Sequence, residues 1–378
     1  MRKAGRVTIA AGTALTAVLL PAAASTPVQA ARPPAAPMRA TGPAAWRLAA
    51  SRHYGPRANA SGYSAVIALG PRDAWAFGGT NPGGPSSPAA VHWDGRRWRP
   101  ALLPPGLAGF IIAASASSGR DVWAVSYFGS YLLHWNGSRW SVARRWRGGK
   151  ATSVAAVSPS DVWVFGGGSG LGTWHYNGRA WTRPRRAPAG LYRASALSSR
   201  SIWAVSRGAA GTIVHYDGRA WRPARTGTAL AGVSVEDIAA VSARSVWVTG
   251  DTAQGRLVVA HGDVAQGDVA QGGGQSWRRF AAPWQLRPQR FAADGDGGVW
   301  IPAVAGTRTW MVHLSRSGHW TRSLLVAGLG SGVGELARIP GTAALWGSGG
   351  FLTRSGGDAA IWSRGPVGPG AQAGRARH

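Results

Sequence analysis

Seven copies of a tryptophan-centred string, 40 to 53 residues apart and each trailed by a hairpin signal, predict an all-β fold: a seven-bladed β-propeller of four-stranded blades. Trp75, Trp123, Trp163, Trp203, Trp247, Trp300 and Trp346 stand in DAWAF, DVWAV, DVWVF, SIWAV, SVWVT, GVWIP and ALWGS. Each string alternates large with small residues and is β-branched or aromatic, so each reads as one strand. The second series is VHWDGRRW, LHWNGSRW, WHYNGRAW and VHYDGRAW, with the degenerate forms VHLSRSGHW and AIWSRG. Asp94-Gly95, Asn136-Gly137, Asn177-Gly178 and Asp217-Gly218 in it predict type I′ hairpin turns joining a third strand to an outer one. Small apolar stretches such as VAAVS and DIAAVS precede the Trp strings and suit the inner strand, where blades crowd the axis.

The ring closes on a count. Outer-strand tryptophans fall at 46, 98, 140, 181, 221, 277 and 320, so the first precedes any complete blade. At the other end the chain stops at Ile361-Trp362-Ser363, where Trp362 aligns with Trp93 and Trp135 on the third strand. The seventh blade therefore lacks its own outer strand, and residues 44–48 are expected to supply it, removing two open sheet edges. The propeller is expected over residues 44–365.

Outside it, Arg2, Lys3 and Arg6, the apolar run 7–24 and Val28-Gln29-Ala30 predict a secretory signal peptide over residues 1–30. Residues 31–43 and 366–378 read as disordered lead-in and tail. No later stretch is long and apolar enough to anchor the chain in a membrane, and a monomer in the extracellular space or on the cell wall is expected. With no cysteine, disulfides, thiolate zinc sites, cysteine nucleophiles and an N-terminal lipidated cysteine are excluded.

The strings DVWAV and HWNG with a closing Trp resemble the Trp-rich propeller repeats of secreted actinobacterial proteins, and more distantly kelch repeats, across residues 44–365. Gly78-Gly79 and Gly166-Gly167 stand where kelch repeats carry a glycine pair; most blades here lack it. Galactose oxidase, a kelch-like enzyme, needs a Cys joined to a Tyr, so that activity does not transfer. A looser likeness to tectonin-type lectin repeats raises carbohydrate binding as an expectation.

Histidines 92, 134, 175, 215, 261 and 313 share one third-strand position. Equivalent third-strand residues diverge around the ring, roughly 10 Å outside the inner strand, so they cannot share a metal ion. A hydrogen bond within each blade is expected instead, to the polar residue opening the second strand: Asp73, Asp121, Asp161, Ser201 or Ser245. No metal or cofactor is expected. The repeated tryptophans read as core. Aromatics outside the repeat, Tyr54, Tyr127, Phe128, Trp146, Trp174, Tyr192, Trp284 and Trp310, are the ones that carry information about a ligand.

Propeller wiring sends the second-to-third and outer-to-inner connections to one face, and these vary in length and composition. Function collects on variable loops. That face receives Arg144, Arg145, Trp146, Arg147 and Lys150, then Arg183, Arg185, Arg186, Tyr192 and Arg193, then Trp284, Arg287 and Arg290. The ligand-binding candidates are Arg145, Trp146, Arg147, Arg185, Tyr192, Arg193, Trp284, Arg287 and Arg290. Arg96, Arg97 and Arg99, by contrast, flank an outer strand, where charge blocks edge pairing. The net charge of +28 falls to +25 without residues 1–30 and suits a carbohydrate or anionic surface polymer, with nucleic acid bound only non-specifically.

A polysaccharide-cleaving hydrolase or lyase is the alternative. Glu236, Asp237, Asp251 and Glu335 fall where inner strands approach the axial opening, and two acids there suit general acid–base work or a cation. Sialidase-type Asp boxes, a Gly-x-Ser-x-Gly elbow, HExxH and a phosphate loop are absent. Asp294-Gly295-Asp296-Gly297 reads as a tight turn on the opposite face, and the doubled GDVAQ at 262–271 as an enlarged hairpin. A protein-interaction scaffold is the third reading.

Overall fold

The computed structural model describes residues 45–54, 60–81, 86–128, 130–167, 170–207, 212–264, 275–325, 329–353 and 356–367. All of them lie in the compact unit Gly42–His378. The expected signal peptide, the lead-in and most of the tail lie outside the described residues, as does the centre of the GDVAQ duplication.

Seven antiparallel sheets form the ring, with no helix among the described residues. Blade 1 sets the pattern: inner strand Ala60–Gly70, second strand Asp73–Asn81, third strand Ser87–Trp93 and outer strand Trp98–Pro100. The inner strands of blades 2 to 5 are Ile111–Ser118, Ser153–Ser158, Leu191–Ser198 and Val233–Ser242. In blade 6 the inner strand is broken into Arg287–Pro288 and Ala292–Ala293. Blade 7 takes Leu329–Arg338, Leu345–Thr353 and Gly356–Arg364 from the end of the chain and its outer strand, Trp46–His53, from the beginning. That closing strand is longer than the expected 44–48: it pairs from Trp46↔Arg364 to His53↔Asp358, with a bulge between Leu48 and Ala50. His53 Nδ1 and Asp358 Oδ1, 2.7 Å apart, pin its far end.

Each second-strand tryptophan is core, from 0% exposed at Trp346 to 8% at Trp300. In blades 1 to 6 the third-strand histidine stacks on it, with ring centroids 3.9 to 4.4 Å apart. The next blade's aromatics cover it from the other side: Trp75 meets Trp135 and Trp140, each at 5.3 Å, and Trp346 meets Trp93 and Trp98, each at 5.1 Å. Inter-blade ring contacts of this kind recur at Trp123, Trp163, Trp203 and Trp300, and edge-to-face rings contribute beyond their buried area; Trp247 instead meets Phe280 of its own blade.

Two expectations need correction. Register places Ser363 opposite Trp346, so Ser363 holds the histidine slot and Arg364, not Trp362, is equivalent to Trp93 and Trp135. Arg364 fills the aromatic slot in kind, its guanidinium 4.2 Å from the Trp300 ring. A slip of two residues leaves every side chain on the same face of a strand, so hydrophobic alternation could not reveal it. The hairpins also differ from type I′ turns, which need positive φ at both central residues. Here Gly95, Gly137, Gly178 and Gly218 alone have it, at 88° to 92°. Asp94 instead precedes the turn and its carboxylate accepts the Arg96 and Arg97 N–H groups, each at 2.9 Å, an arrangement that Asn136, Asn177 and Asp217 repeat.

The kelch-like glycine at 78 has a steric reason: a Cβ there would collide with the Gly62 carbonyl on the inner strand.

Candidate functional site

The expected local role of the histidines is present in all six blades that carry one. His92, His134 and His175 Nε2 lie 2.9, 2.8 and 2.9 Å from Asp73, Asp121 and Asp161, and His215 and His261 lie 3.2 and 2.9 Å from the hydroxyls of Ser201 and Ser245. In blade 6 the partner is Asp294, in the preceding turn, at 2.8 Å. Asp294 also accepts the Asp296 and Gly298 N–H groups, so this acidic turn is tied to itself. Among the described residues no three His, Asp or Glu side chains gather as metal ligands.

At the axis, Arg193, Asp237, Arg290 and Glu335 come from the inner strands of four successive blades. Arg290 Nη1 donates to Glu335 Oε2 at 3.2 Å, and the same oxygen accepts the Val66 N–H at 3.0 Å. Asp237 Oδ2 accepts the Phe291 N–H at 3.2 Å, and Arg193 Nη1 donates to the Thr152 carbonyl at 2.6 Å. Hydroxyls complete the circle: Ser64 donates to the Ile111 carbonyl at 2.8 Å, while Ser115 and Ser195 accept the Ala156 and Ala240 N–H groups, each at 3.0 Å. Every one of the seven junctions between inner strands is therefore hydrogen-bonded across. Burial pushes the Asp237 and Glu335 carboxyls up against the pull of the two guanidiniums, and it drives Arg193 down to about 10.

Two of the proposed acids remain outside this ring of bonds. Glu236 is the extra residue of an inner-strand bulge between Val235 and Asp237, and burial raises it, with Asp251 adding to the rise and Arg207 opposing it. Burial likewise raises Asp251, against the charge of Arg287.

The candidate ligand-binding residues do not form one site. Trp146, 9% exposed, packs into the core between blades 2 and 3, and Tyr192, 4% exposed, donates its hydroxyl to the Val235 carbonyl. Neither presents a ring to a ligand, because a strand extension and a bulge fold them inward. Arg193 and Arg290 are committed at the axis. Arg145, Arg147, Arg185 and Arg287 are exposed, the first three around blades 2 and 3 and the last beside blade 6.

Two arrangements on the variable face combine cations with indoles. Where blades 2 and 3 meet, Arg144 of blade 2 and Arg183 of blade 3 approach the one indole of Trp174 at 4.2 and 4.8 Å. Burial, and then the neighbouring charge of Arg183, depresses Arg144. Between blades 5 and 6 lies an open cleft of about 630 Å³ that holds Trp284, Trp310, Arg308 and Arg322. Trp284 belonged to the sequence candidates, but Arg308 and Arg322 were missed. The signal was cross-strand parity: Arg322 pairs with Val312, and Trp310 is the diagonal neighbour on the same face.

No family model matches the chain, and no curated relative matches it. Solved structures do: YCF48 from Cyanidioschyzon merolae at 13% identity and TM-score 0.61, covering 85% of this chain and 99% of that one. The β-propeller domain of Cps50 (Swd1) from Myceliophteria thermophila aligns at 12% identity and TM-score 0.59, covering 84% and 99%. YCF48 bound to D1 peptide aligns at 13% and 0.57, covering 85% and 96%. At such identities the likeness is one of fold, and that fold is a seven-bladed, WD40-like β-propeller.

Proposed function

We propose that the chain is a secreted, monomeric, non-catalytic binding module of the Trp-rich repeat type, which takes a carbohydrate or anionic cell-envelope polymer on its variable face. The carrying observation is the pair Arg144 and Arg183 on Trp174, for which no carboxylate partner exists among the described residues. Two neighbouring guanidiniums repel one another, and an oxyanion between them relieves that repulsion while the indole holds them in place. Exposed Arg145, Arg147 and Arg185 extend the same field. Arg2, Lys3, Arg6 and Val28-Gln29-Ala30 support secretion. Against catalysis, Glu335 and Asp237 are already bonded across blade junctions, so neither is free to serve as one of two carboxylates flanking a scissile bond.

The test is calorimetric titration of the full chain with polygalacturonate, lipoteichoic acid and neutral dextran at low and physiological salt. Binding to the two polyanions that weakens with salt, and weakens further in Arg183→Ala, is expected. Equal binding to dextran selects a neutral carbohydrate over an anionic polymer, and no binding to any of the three overturns the reading. A protein-interaction scaffold is the second reading, favoured by the similar propeller solved bound to D1 peptide; capture of an envelope protein by a chain indifferent to polyanions would select it.

A further inference from the structure

The cleft between blades 5 and 6 offers a second, better-formed place for a polyanion, and the inference that follows rests on the proposed function. Trp284 lies near the end of the outer strand Gln275–Gln285 of blade 5, Trp310 on the third strand Arg308–Leu314 of blade 6, and Arg322 on that blade's outer strand Trp320–Leu324. The Arg322 guanidinium carbon sits 4.4 Å from the Trp284 ring and 4.3 Å from the Trp310 ring. Indole contacts of this kind use none of the guanidinium's N–H donors, and a carboxylate or phosphate oxyanion can be met by two of them as parallel hydrogen bonds. Arg308 lines the same cleft, and no Asp or Glu does. Neither guanidinium has a hydrogen bond or ion pair among the described residues.

An unneutralised guanidinium held against two indoles, with a second arginine lining the same cleft, suits an anion. We propose that this cleft binds the oxyanion of an acidic surface polymer, either the carboxylate of a uronic acid or the phosphodiester of a polyol-phosphate chain. Arg322 grips it by two hydrogen bonds and Arg308 supplies the second charge. Gln285 and Thr307, also in the lining, offer neutral partners to sugar hydroxyls.

The test titrates the full chain and its Arg322→Ala, Arg322→Lys, Arg308→Ala and Arg219→Ala variants with galacturonate oligomers and with glycerol-phosphate oligomers. Arg219 is an exposed arginine on the opposite face, so its removal reports the effect of net charge alone. A charge-assisted bidentate contact corresponds to a loss of about 10- to 100-fold in Arg322→Ala, with a smaller loss in Arg308→Ala and little change in Arg219→Ala. Arg322→Lys keeps the charge but not the fork, and is expected to recover less than half of the lost free energy. Whichever oligomer shows this pattern names the oxyanion. Unchanged melting temperatures are expected, since Arg322 is exposed.

If the parent chain binds polyanions but Arg322→Ala loses no more than Arg219→Ala, the cleft is overturned and the proposed function stands. If the parent binds neither oligomer, both fall. Full affinity in Arg322→Lys overturns the two-bond grip.

Discussion

Replacing Ser201 by Asp is expected to make the protein more tolerant of mild acid. In blades 1, 2, 3 and 6 the third-strand histidine faces a carboxylate, whereas His215 faces the Ser201 hydroxyl at 3.2 Å. His215 is 6% exposed, its Nδ1 is buried without a partner, and burial drives its pKa down to about 4 from 6.5. A depressed histidine stays neutral in the folded chain while the unfolded chain takes up a proton. Its contribution is therefore full above pH 6.5 and is lost as pH falls from there toward 4. With those two values the loss between pH 7 and pH 5 is about 2 kcal/mol. Ser201→Asp restores the partner used in blades 2 and 3, stabilises the imidazolium and abolishes this loss. Denaturant unfolding of parent and variant at pH 7 and pH 5 measures it, because the introduced carboxylate is ionised across that range and every titrating group besides it and His215 is common to both chains. Equal losses in the two chains would refute the assignment, as would an NMR titration placing His215 near 6.5 in the parent.

Two further outcomes are expected. Removing residues 45–54 leaves the third strand of blade 7 as an open edge and takes Trp46 from its edge-to-face contact, 5.9 Å from Trp300. A loss of more than about 3 kcal/mol, the scale of deleting a packed Trp, is expected by denaturant unfolding, with increased self-association from the exposed edge; an unchanged melting temperature would contradict closure. Glu335→Gln keeps an acceptor for the Val66 N–H but leaves Arg290 without its counter-charge. With side chains 14% and 21% exposed, the pair is recessed rather than dry, so a loss of about 1 to 3 kcal/mol is expected with polymer binding unchanged. Loss of affinity at unchanged stability would return the axis to candidacy as a functional site.

The repeat was legible because steric demand recurs with it. A Trp in every second strand must meet the same neighbours, so blade number, strand order, closure and the histidine bonds all follow from one period. Residues that break the period divide into two kinds that a sequence does not separate. Trp146 just follows one outer strand and Trp284 stands near the end of another, both in Arg-rich surroundings, yet the Trp146 amide bonds back to Ser130 and carries the ring into the core, while Trp284 lines the cleft. Backbone return is a long-range event with no local signature. Tyr192 and Glu236 pose the same difficulty one blade apart, because the inner-strand bulges that re-aim them arise from crowding at the axis rather than from any turn residue.

Crowding at the axis also explains where the scarce acids went. Seven identical inner strands would bring seven identical side chains together; carboxylates or guanidiniums alone would repel, and alkyl groups alone would leave backbone amides unsatisfied. The chain answers with unlike residues at successive junctions: Ser64, Ser115, Arg193, Ser195, Asp237, Arg290 and Glu335, each bonded to the neighbouring blade. Divergence from the repeat on inner strands is therefore a requirement of closing the ring, and it consumes two of the acids that suggested catalysis. Divergence on the third and outer strands and the connections after them has no such requirement. Arg322, Arg308 and the Arg144–Arg183 pair have no carboxylate partner among the described residues, and Arg183 lies close enough to Arg144 for its charge to disfavour the second guanidinium.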